Sequence, residues 1–140
     1  MSDLFERVLL PVASRDDARS TARALRPHVG DQVVAVHVVE KAGGAVDKAS
    51  VEQREEEAEH IFEIVHEELD ETASVDTRVD YGTDVAETIF AAADEEDATA
   101  IAFTPRDGSR WIRLLTGDVA LDLVTETDRP VIVLPERSDE

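Results

Sequence analysis

The feature that most constrains this sequence is the alternation of short apolar runs with longer segments of helical character. The runs are rich in β-branched residues, as expected for strands buried on both faces of a parallel sheet. They cover residues 5–11, 32–39, 75–79, 98–103 and 130–134. Strands separated by helices imply right-handed crossovers. The pattern therefore predicts a doubly wound α/β fold with a five-stranded parallel sheet in the order 3-2-1-4-5.

Helix signals fill the intervals between these runs. Ser14 is a good N-cap for a helix through about residue 26, with two aspartates, Asp16 and Asp17, in its first turn. Ser50 has capping-box spacing to a glutamine three positions on, and Asp84 has the same spacing to a glutamate. These signals predict helices from residue 50 to about 69 and from residue 84 onward. A fourth helix is predicted over residues 117–127.

Charge excludes several classes of partner. The chain has 33 acids, 14 bases and a formal net charge of -19. Its surface should repel the phosphates of nucleic acids and the anionic lipids of a membrane. Its two lysines are Lys41 and Lys48, so nearly all the positive charge is arginine. Acid excess with scarce lysine is typical of proteins from salt-accumulating halophiles, where screening reduces self-repulsion.

Length and residue types narrow the remaining possibilities. The 140 residues suit one domain, and the absence of cysteine excludes disulfides and thiolate chemistry. The apolar runs are too short to span a bilayer, and no signal peptide opens the chain. We therefore expect a single domain, residues 1–140, in the cytoplasm. The four histidines do not share a metal-ligand pattern, so we expect no metal site.

The loop after the fourth predicted strand is unusual for so acidic a chain. Between Thr104 and Gly117 it holds Arg106, Arg110 and Arg113. Arginine forks suit bidentate contact with phosphate or carboxylate, and the next helix N-terminus adds a positive dipole end. In a doubly wound sheet, ligands bind where the winding reverses, here between strands one and four. The loop is either a small-anion site or a group of arginines paired with the chain's own carboxylates.

Several segments together resemble universal stress protein domains, of the haloarchaeal type by composition. They are VLLPV at 8–12, VHVV at 36–39, GDVA at 117–120 and RPVIV at 129–133. The resemblance covers essentially the whole chain and implies a Rossmann-like fold of the adenine nucleotide alpha hydrolase type. It implies a ligand crevice lined by the following candidates: Pro11, Val12, Ala13, Val39, Thr104, Arg106, Arg110, Arg113, Gly117 and Asp118.

The resemblance also exposes departures from the family's ATP-binding pattern. That pattern is a glycine, two residues, a second glycine, nine residues, then glycine with serine or threonine. Aligned on Gly117, the first two glycines fall on Thr104 and Asp107, and the final hydroxyl residue on Asp118. The family's acidic residue after strand one falls on Ala13. Side chains where backbone should approach phosphate, and added carboxylates, predict weak or absent ATP or AMP binding.

Three functions stay open at this level. The first is a non-catalytic stress-response or regulatory module that interacts with protein partners and has a degenerate nucleotide site and no cofactor. The second is a sensor that binds a nucleotide or small anion between strands one and four. The third, a nucleotide-hydrolysing enzyme, is disfavoured because no general base or metal constellation is evident. We therefore predict no catalytic residues, and we expect the charge run at residues 94–97 to be a solvated loop.

The last strand carries the assembly hypothesis. It would be an apolar edge, and exposed edges of this kind invite pairing with another chain. In many universal stress proteins this strand pairs with its copy across a two-fold axis. The resemblance therefore implies a homodimer through Val131, Ile132, Val133 and Leu134.

Overall fold

The computed structural model describes residues 4–40, 48–104 and 125–134. Within them, strands and helices alternate along the chain. The strands are β1 (Arg7–Pro11), β2 (Gln32–Glu40), β3 (Ser74–Gly82), β4 (Ala100–Phe103) and β5 (Val131–Val133). The helices are α1 (Arg15–Leu25), followed by a 3-10 turn (Arg26–His28), then α2 (Lys48–Leu69) and α3 (Val85–Glu96).

The strands form one parallel sheet in the order β3-β2-β1-β4-β5. The predicted fold class and strand order are confirmed. Leu9 at the centre of β1 lies opposite Val34 of β2 on one side and Ile101 of β4 on the other. The chain thus winds outward from β1 to β3 and then returns to β4, so the winding reverses between β1 and β4.

Two apolar clusters hold helices on the two faces of the sheet. On one face Val8 and Leu10 pack with α1 and α2, because alternate residues of a strand point the same way. On the other face Leu9 packs with α3. An apolar stripe of α2 faces the sheet, and its members are buried at 7% exposure or less: Ala58, Ile61, Phe62, Val65 and Leu69.

Two helix starts were predicted from side-chain caps, and the structure confirms them. The Ser14 hydroxyl accepts from the Asp17 N–H at 3.1 Å, and the Asp84 carboxylate accepts from the Glu87 N–H at 3.0 Å. The prediction that Ser50 caps α2 is wrong, because α2 begins at Lys48 and Ser50 lies inside it. Strand β3 is longer than predicted, because β2 continues to pair with it as far as Gly82.

The segment predicted as a solvated loop at residues 94–97 is a second correction. It forms the last turn of α3 and its left-handed cap, Asp97. Its acids bind arginines rather than water alone: Glu96 pairs with Arg7 at 2.7 Å and with Arg78 at 2.9 Å. The local charge pattern was misread because both arginine partners come from distant strands.

Most of the predicted fourth helix, residues 117–127, lies outside the described residues. So does the loop that carries Arg106, Arg110 and Arg113, together with Asp107, Gly117 and Asp118. In the described part of the chain, no helix combines the length and apolarity that crossing a bilayer requires.

Candidate functional site

The candidate site lies at the carboxyl ends of β1 and β4, where the winding of the sheet reverses. Crevices at this position bind ligands in doubly wound folds because the connecting loops diverge there. After β1, the Val12 N–H continues the ladder by donating to the Val36 carbonyl at 2.9 Å. Val12 as a whole is 1% exposed, so it shapes the crevice floor without offering a ligand a free contact.

A buried polar network crosses the crevice floor. Asp17, in the first turn of α1, is 1% exposed. One of its carboxylate oxygens accepts from the Ala13 N–H at 2.8 Å, and the other accepts from the Thr21 hydroxyl at 3.2 Å. The Thr21 hydroxyl also meets the Thr104 hydroxyl at 2.5 Å. The network therefore joins the turn after β1, helix α1 and the end of β4.

The donors of this network can be assigned by counting protons. A threonine hydroxyl has a single proton and can accept on its lone pairs. The Thr21 hydroxyl donates its one proton to the Asp17 carboxylate, so the Thr104 hydroxyl must be the donor in its contact with Thr21. The result is a one-directional relay from Thr104 through Thr21 to Asp17. Each hydroxyl thus donates to a buried polar neighbour.

The carboxyl end of β2 forms a second part of the crevice. A pocket of about 200 Å³ lies there, lined by His37, Val38, Val39, Arg54 and Glu57. The His37 ring nitrogen Nδ1 lies 2.9 Å from the Val12 carbonyl oxygen. The His37 ring is therefore held by a backbone carbonyl.

An arginine fork closes one side of this pocket. Arg15 donates through Nε and Nη2 to the two oxygens of Glu57, each at 2.8 Å. These hydrogen bonds hold the pKa of Glu57 below its ordinary value and raise the pKa of Arg15. Both side chains are about half exposed, so the pair gives the pocket a rim of fixed charge rather than a reactive group.

Five of the ten candidate ligand residues lie among the described residues, and the structure brings them to one edge of the sheet. They are Pro11, Val12, Ala13, Val39 and Thr104. Thr104 is 0% exposed and points into the network, so its side chain is not available to a ligand. Val39 is 3% exposed. The N–H groups of Val12 and Ala13 are hydrogen-bonded within the protein as well, so these described residues leave a ligand mainly the charged rim.

Sequence reasoning missed Asp17 as a member of the site. Asp16 and Asp17 looked like equivalent first-turn acids, but only Asp17 turns inward. One signal was available: a threonine four positions on lies on the same face of the helix, within hydrogen-bond reach. The apolar neighbours Ala18 and Ala22 also mark that side of α1 as the buried one.

The other titratable groups form ordinary pairs. His60 lies 3.6 Å from Glu63 and His66 lies 2.8 Å from Asp70, both on the surface of α2. Across residues 4–40, 48–104 and 125–134, no cluster of three or more histidines and acids is arranged to hold a metal ion.

The sequence of this chain is similar to that of a known protein family. The sequence matches the model of the universal stress protein family over residues 4–135. The chain belongs to the universal stress protein family. No match was found among proteins with a curated description.

Solved structures share the fold of this universal stress protein at low sequence identity. One is the universal stress protein from Archaeoglobus fulgidus in complex with dAMP, with 22% identity over 94% of this chain and 99% of that one, at a TM-score of 0.63. Universal stress protein UspA from Lactobacillus plantarum has 20% sequence identity over 95% of this chain and 99% of that one, at a TM-score of 0.65. A universal stress protein in complex with cAMP has 12% identity over 92% of this chain and 97% of that one, at a TM-score of 0.61. These likenesses establish the fold.

Proposed function

We propose that this universal stress protein is a non-catalytic stress-response or regulatory module that has lost the family's usual mode of ATP binding. The observation that carries the proposal is the buried Asp17 carboxylate at the carboxyl end of β1. It already binds the Ala13 N–H, a backbone donor at the entrance to α1. An anionic phosphate at this point would meet a carboxylate where helix N-termini normally offer free N–H groups.

The sequence supports the proposal at the other phosphate contacts. Thr104 and Asp107 stand where the family has glycines, and Asp118 stands where it has serine or threonine. Carboxylates about 4–6 Å from a phosphate oppose it by on the order of 1 kcal/mol or more in a partly exposed site. Ala13 also removes the acidic side chain that the family uses after strand one. The residues present therefore do not fit an ATP site of the usual kind.

Isothermal titration calorimetry in molar KCl tests this directly. We expect no binding of ATP or dAMP at micromolar concentration, with the Archaeoglobus fulgidus protein and dAMP as positive control. Low-micromolar affinity for ATP would refute the proposal. A reverted variant, Ala13→Asp with Asp107→Gly and Asp118→Ser, should gain affinity, because these changes restore residues of the family's ATP-binding pattern. Assay of ATP hydrolysis on the same samples should give no turnover.

A second candidate is a sensor of a nucleotide or small anion. Two observations favour it: the pocket of about 200 Å³ at the end of β2, and the complexes of two relatives with dAMP and cAMP. In this case the loop arginines supply the anion contacts. Arg110→Ala should then weaken binding of dAMP or cAMP, whereas Arg137→Ala, outside the loop, should not. Equal affinities for both variants would count against the sensor.

We also propose a homodimer through the last strand. β5 forms one edge of the sheet, and Val133 on it is 48% exposed. Leu134 is 3% exposed and packs within its own chain, so its part in the contact is limited to backbone. Light scattering in molar KCl should give twice the monomer mass. Val133→Glu should give monomers, whereas Leu4→Glu, at a similarly exposed site away from β5, should not; a monomeric wild type overturns the dimer.

Finally, we propose that the protein is adapted to high salt. Support comes from the net charge of -19 and from α2, whose acids Glu52, Glu55, Glu56 and Glu59 are exposed along its outer side. Self-repulsion among such groups falls as the screening length shortens from about 10 Å at 0.1 M salt to about 3 Å at 1 M. The thermal midpoint should therefore rise steadily with KCl concentration. A midpoint that stays constant or falls would contradict this adaptation.

A further inference from the structure

Three arginines on one side of α1 converge on a single carboxylate. Arg19, Arg23 and Arg26 follow the i, i+4, i+7 spacing that places side chains on one helix face. All three lie against Glu68 near the end of α2, with Arg19 Nη1 at 3.5 Å and Arg23 Nε at 3.3 Å from Oε2. Arg26 pairs with the other oxygen through Nη2 and donates from Nε to the Glu68 backbone carbonyl at 2.9 Å.

The charges of this cluster do not balance locally. The Glu68 side chain is only 9% exposed, so its carboxylate is a fixed part of the α1–α2 contact. Arg19 and Arg26 stay 43% and 44% exposed, and Glu68 is the only acidic partner of either among the residues that the structure describes. Even with Arg23 set aside, two guanidinium groups share one negative charge. Excess positive charge is unexpected on the surface of a chain at -19.

The remaining donors suit an anion of more than one charge. Each guanidinium has five N–H donors in a planar fork, and Arg19 uses only one nitrogen, at the limit of hydrogen-bond distance. Such forks bind phosphate oxygens in pairs, with stronger hydrogen bonds than neutral donors make. A monovalent ion such as chloride carries one charge on one atom, whereas a phosphate group offers several oxygens, which suits two planar forks better.

We propose that Arg19 and Arg26, with Arg23 between them, form a binding site for a phosphate group on the α1–α2 face. The site is separate from the crevice, because α1 begins at the carboxyl edge of the sheet and runs back toward the opposite edge. Glu68 acts there as an internal competitor: it holds the arginines in place when no phosphate is bound, and it opposes the incoming anion.

Because Glu68 competes with the anion, the two key variants should change the phosphate affinity in opposite directions. Glu68→Gln removes the opposing charge but keeps a side chain of the same size, so it should tighten phosphate binding on the order of tenfold. The double variant Arg19→Gln/Arg26→Gln removes the forks and should weaken binding by at least a similar factor. A purely structural role for the cluster predicts that neither variant changes affinity.

Calorimetry with inorganic pyrophosphate, at constant ionic strength set by KCl, tests the proposal. Arg137→Gln is the control, because it removes one arginine outside the cluster. Arg15→Gln reports on the crevice, since Arg15 pairs with Glu57 there. We expect Glu68→Gln to tighten binding, the double variant to lose it and Arg137→Gln to match wild type. AMP is titrated in parallel to distinguish free phosphate groups from nucleotide phosphate: equal effects of the variants on both probes indicate a general phosphate site.

Two other results would overturn the proposal. The first is that neither the wild type nor Glu68→Gln binds pyrophosphate. The second is that Arg15→Gln weakens binding and the double variant does not, because the anion would then lie at the crevice. Should the double variant fail to fold, the tightening in Glu68→Gln decides alone. The Arg19→Gln/Arg26→Gln variant also separates this test from that of the proposed function. ATP binding that this variant abolishes belongs to the α1–α2 face, whereas ATP binding that survives it belongs to the crevice. Failure to bind pyrophosphate therefore leaves the proposed function standing.

Discussion

The hydrogen-bond chain from Thr104 through Thr21 to Asp17 predicts that one substitution, Thr104→Val, changes stability in opposite directions in two backgrounds. Thr104→Val keeps the shape of a side chain that is 0% exposed but removes the hydroxyl that donates to Thr21 at 2.5 Å. Thr21 still donates to Asp17, so the loss is one net hydrogen bond. We expect a destabilisation of about 1 kcal/mol, the ordinary net contribution of such a bond.

Removing the middle hydroxyl should cost more. Thr21→Val breaks both bonds, leaving the Thr104 hydroxyl without its Thr21 acceptor and Asp17 with one donor fewer. The stranded hydroxyl costs about 1–3 kcal/mol and the lost hydrogen bond to Asp17 about 1 kcal/mol, so we expect a loss of about 2–4 kcal/mol. In this background Thr104→Val removes a stranded hydroxyl. The double variant should therefore be about 1 kcal/mol more stable than Thr21→Val alone.

The assay is urea unfolding in constant molar KCl, followed by far-UV circular dichroism, with a two-state fit of all four proteins. Thr77→Val serves as control for the substitution itself, because Thr77 is exposed on β3. The reasoning is refuted if Thr104→Val destabilises the Thr21→Val background as much as it destabilises wild type. Equal costs would mean that the two hydroxyls act independently and that no relay joins them.

Three further predictions follow from local geometry. Gly30→Ala should destabilise by about 1–3 kcal/mol in urea unfolding, because the new Cβ would lie 2.6 Å from the Phe5 carbonyl oxygen; an unchanged midpoint contradicts this. Asp84→Ala should cost about 1 kcal/mol through loss of the α3 N-cap, while Asp84→Ser restores most of it. Arg15→Gln should lower stability at neutral pH by an amount that fades in acid. The pKa of Glu57 is lowered in the folded protein. Its ion pair with Arg15 therefore contributes to the free energy of unfolding above the unfolded-state pKa near 4.3. This contribution is lost as the pH falls through the folded-state pKa. Carbon NMR titration of Glu57 in both proteins checks this, and an identical pKa in the two would count against the pair.

The fold could be predicted from the sequence because its main signals are local. Apolar runs identify strands buried on both faces, and intervening helices force parallel crossovers. Errors arose where neighbours outside the local pattern decide the outcome. β3 extends to Gly82 because β2 supplies a matching edge, although the sequence there carries Asp80 and an exposed Tyr81. The capping pattern at Ser50 was present but lies inside a helix that begins two residues earlier.

The position of the candidate site follows from the sequence more directly than its contacts do. The winding rule puts the site at the carboxyl edge of the sheet, and the described candidates lie at that edge. Asp17 escaped prediction because its burial depends on Thr104, 83 residues beyond Thr21 in sequence, whose hydroxyl completes the network. The Arg26–Glu68 contact spans 42 residues and was equally invisible. Side-chain contacts that tertiary packing decides produce no periodic pattern in the sequence, so sequence patterns do not predict them.

The unequal length of the two outer strands has a consequence for how the sheet opens. β3 pairs with β2 along nine residues, whereas β5 pairs with β4 along three. Cooperative units that bury less and share fewer backbone bonds open at lower free energy than the whole molecule. Amide hydrogens at the β4–β5 edge should thus exchange through local opening, while those of β2 and β3 should wait for global unfolding. A protein built this way can release its last strand, and whatever that strand binds, while the rest of its sheet stays folded.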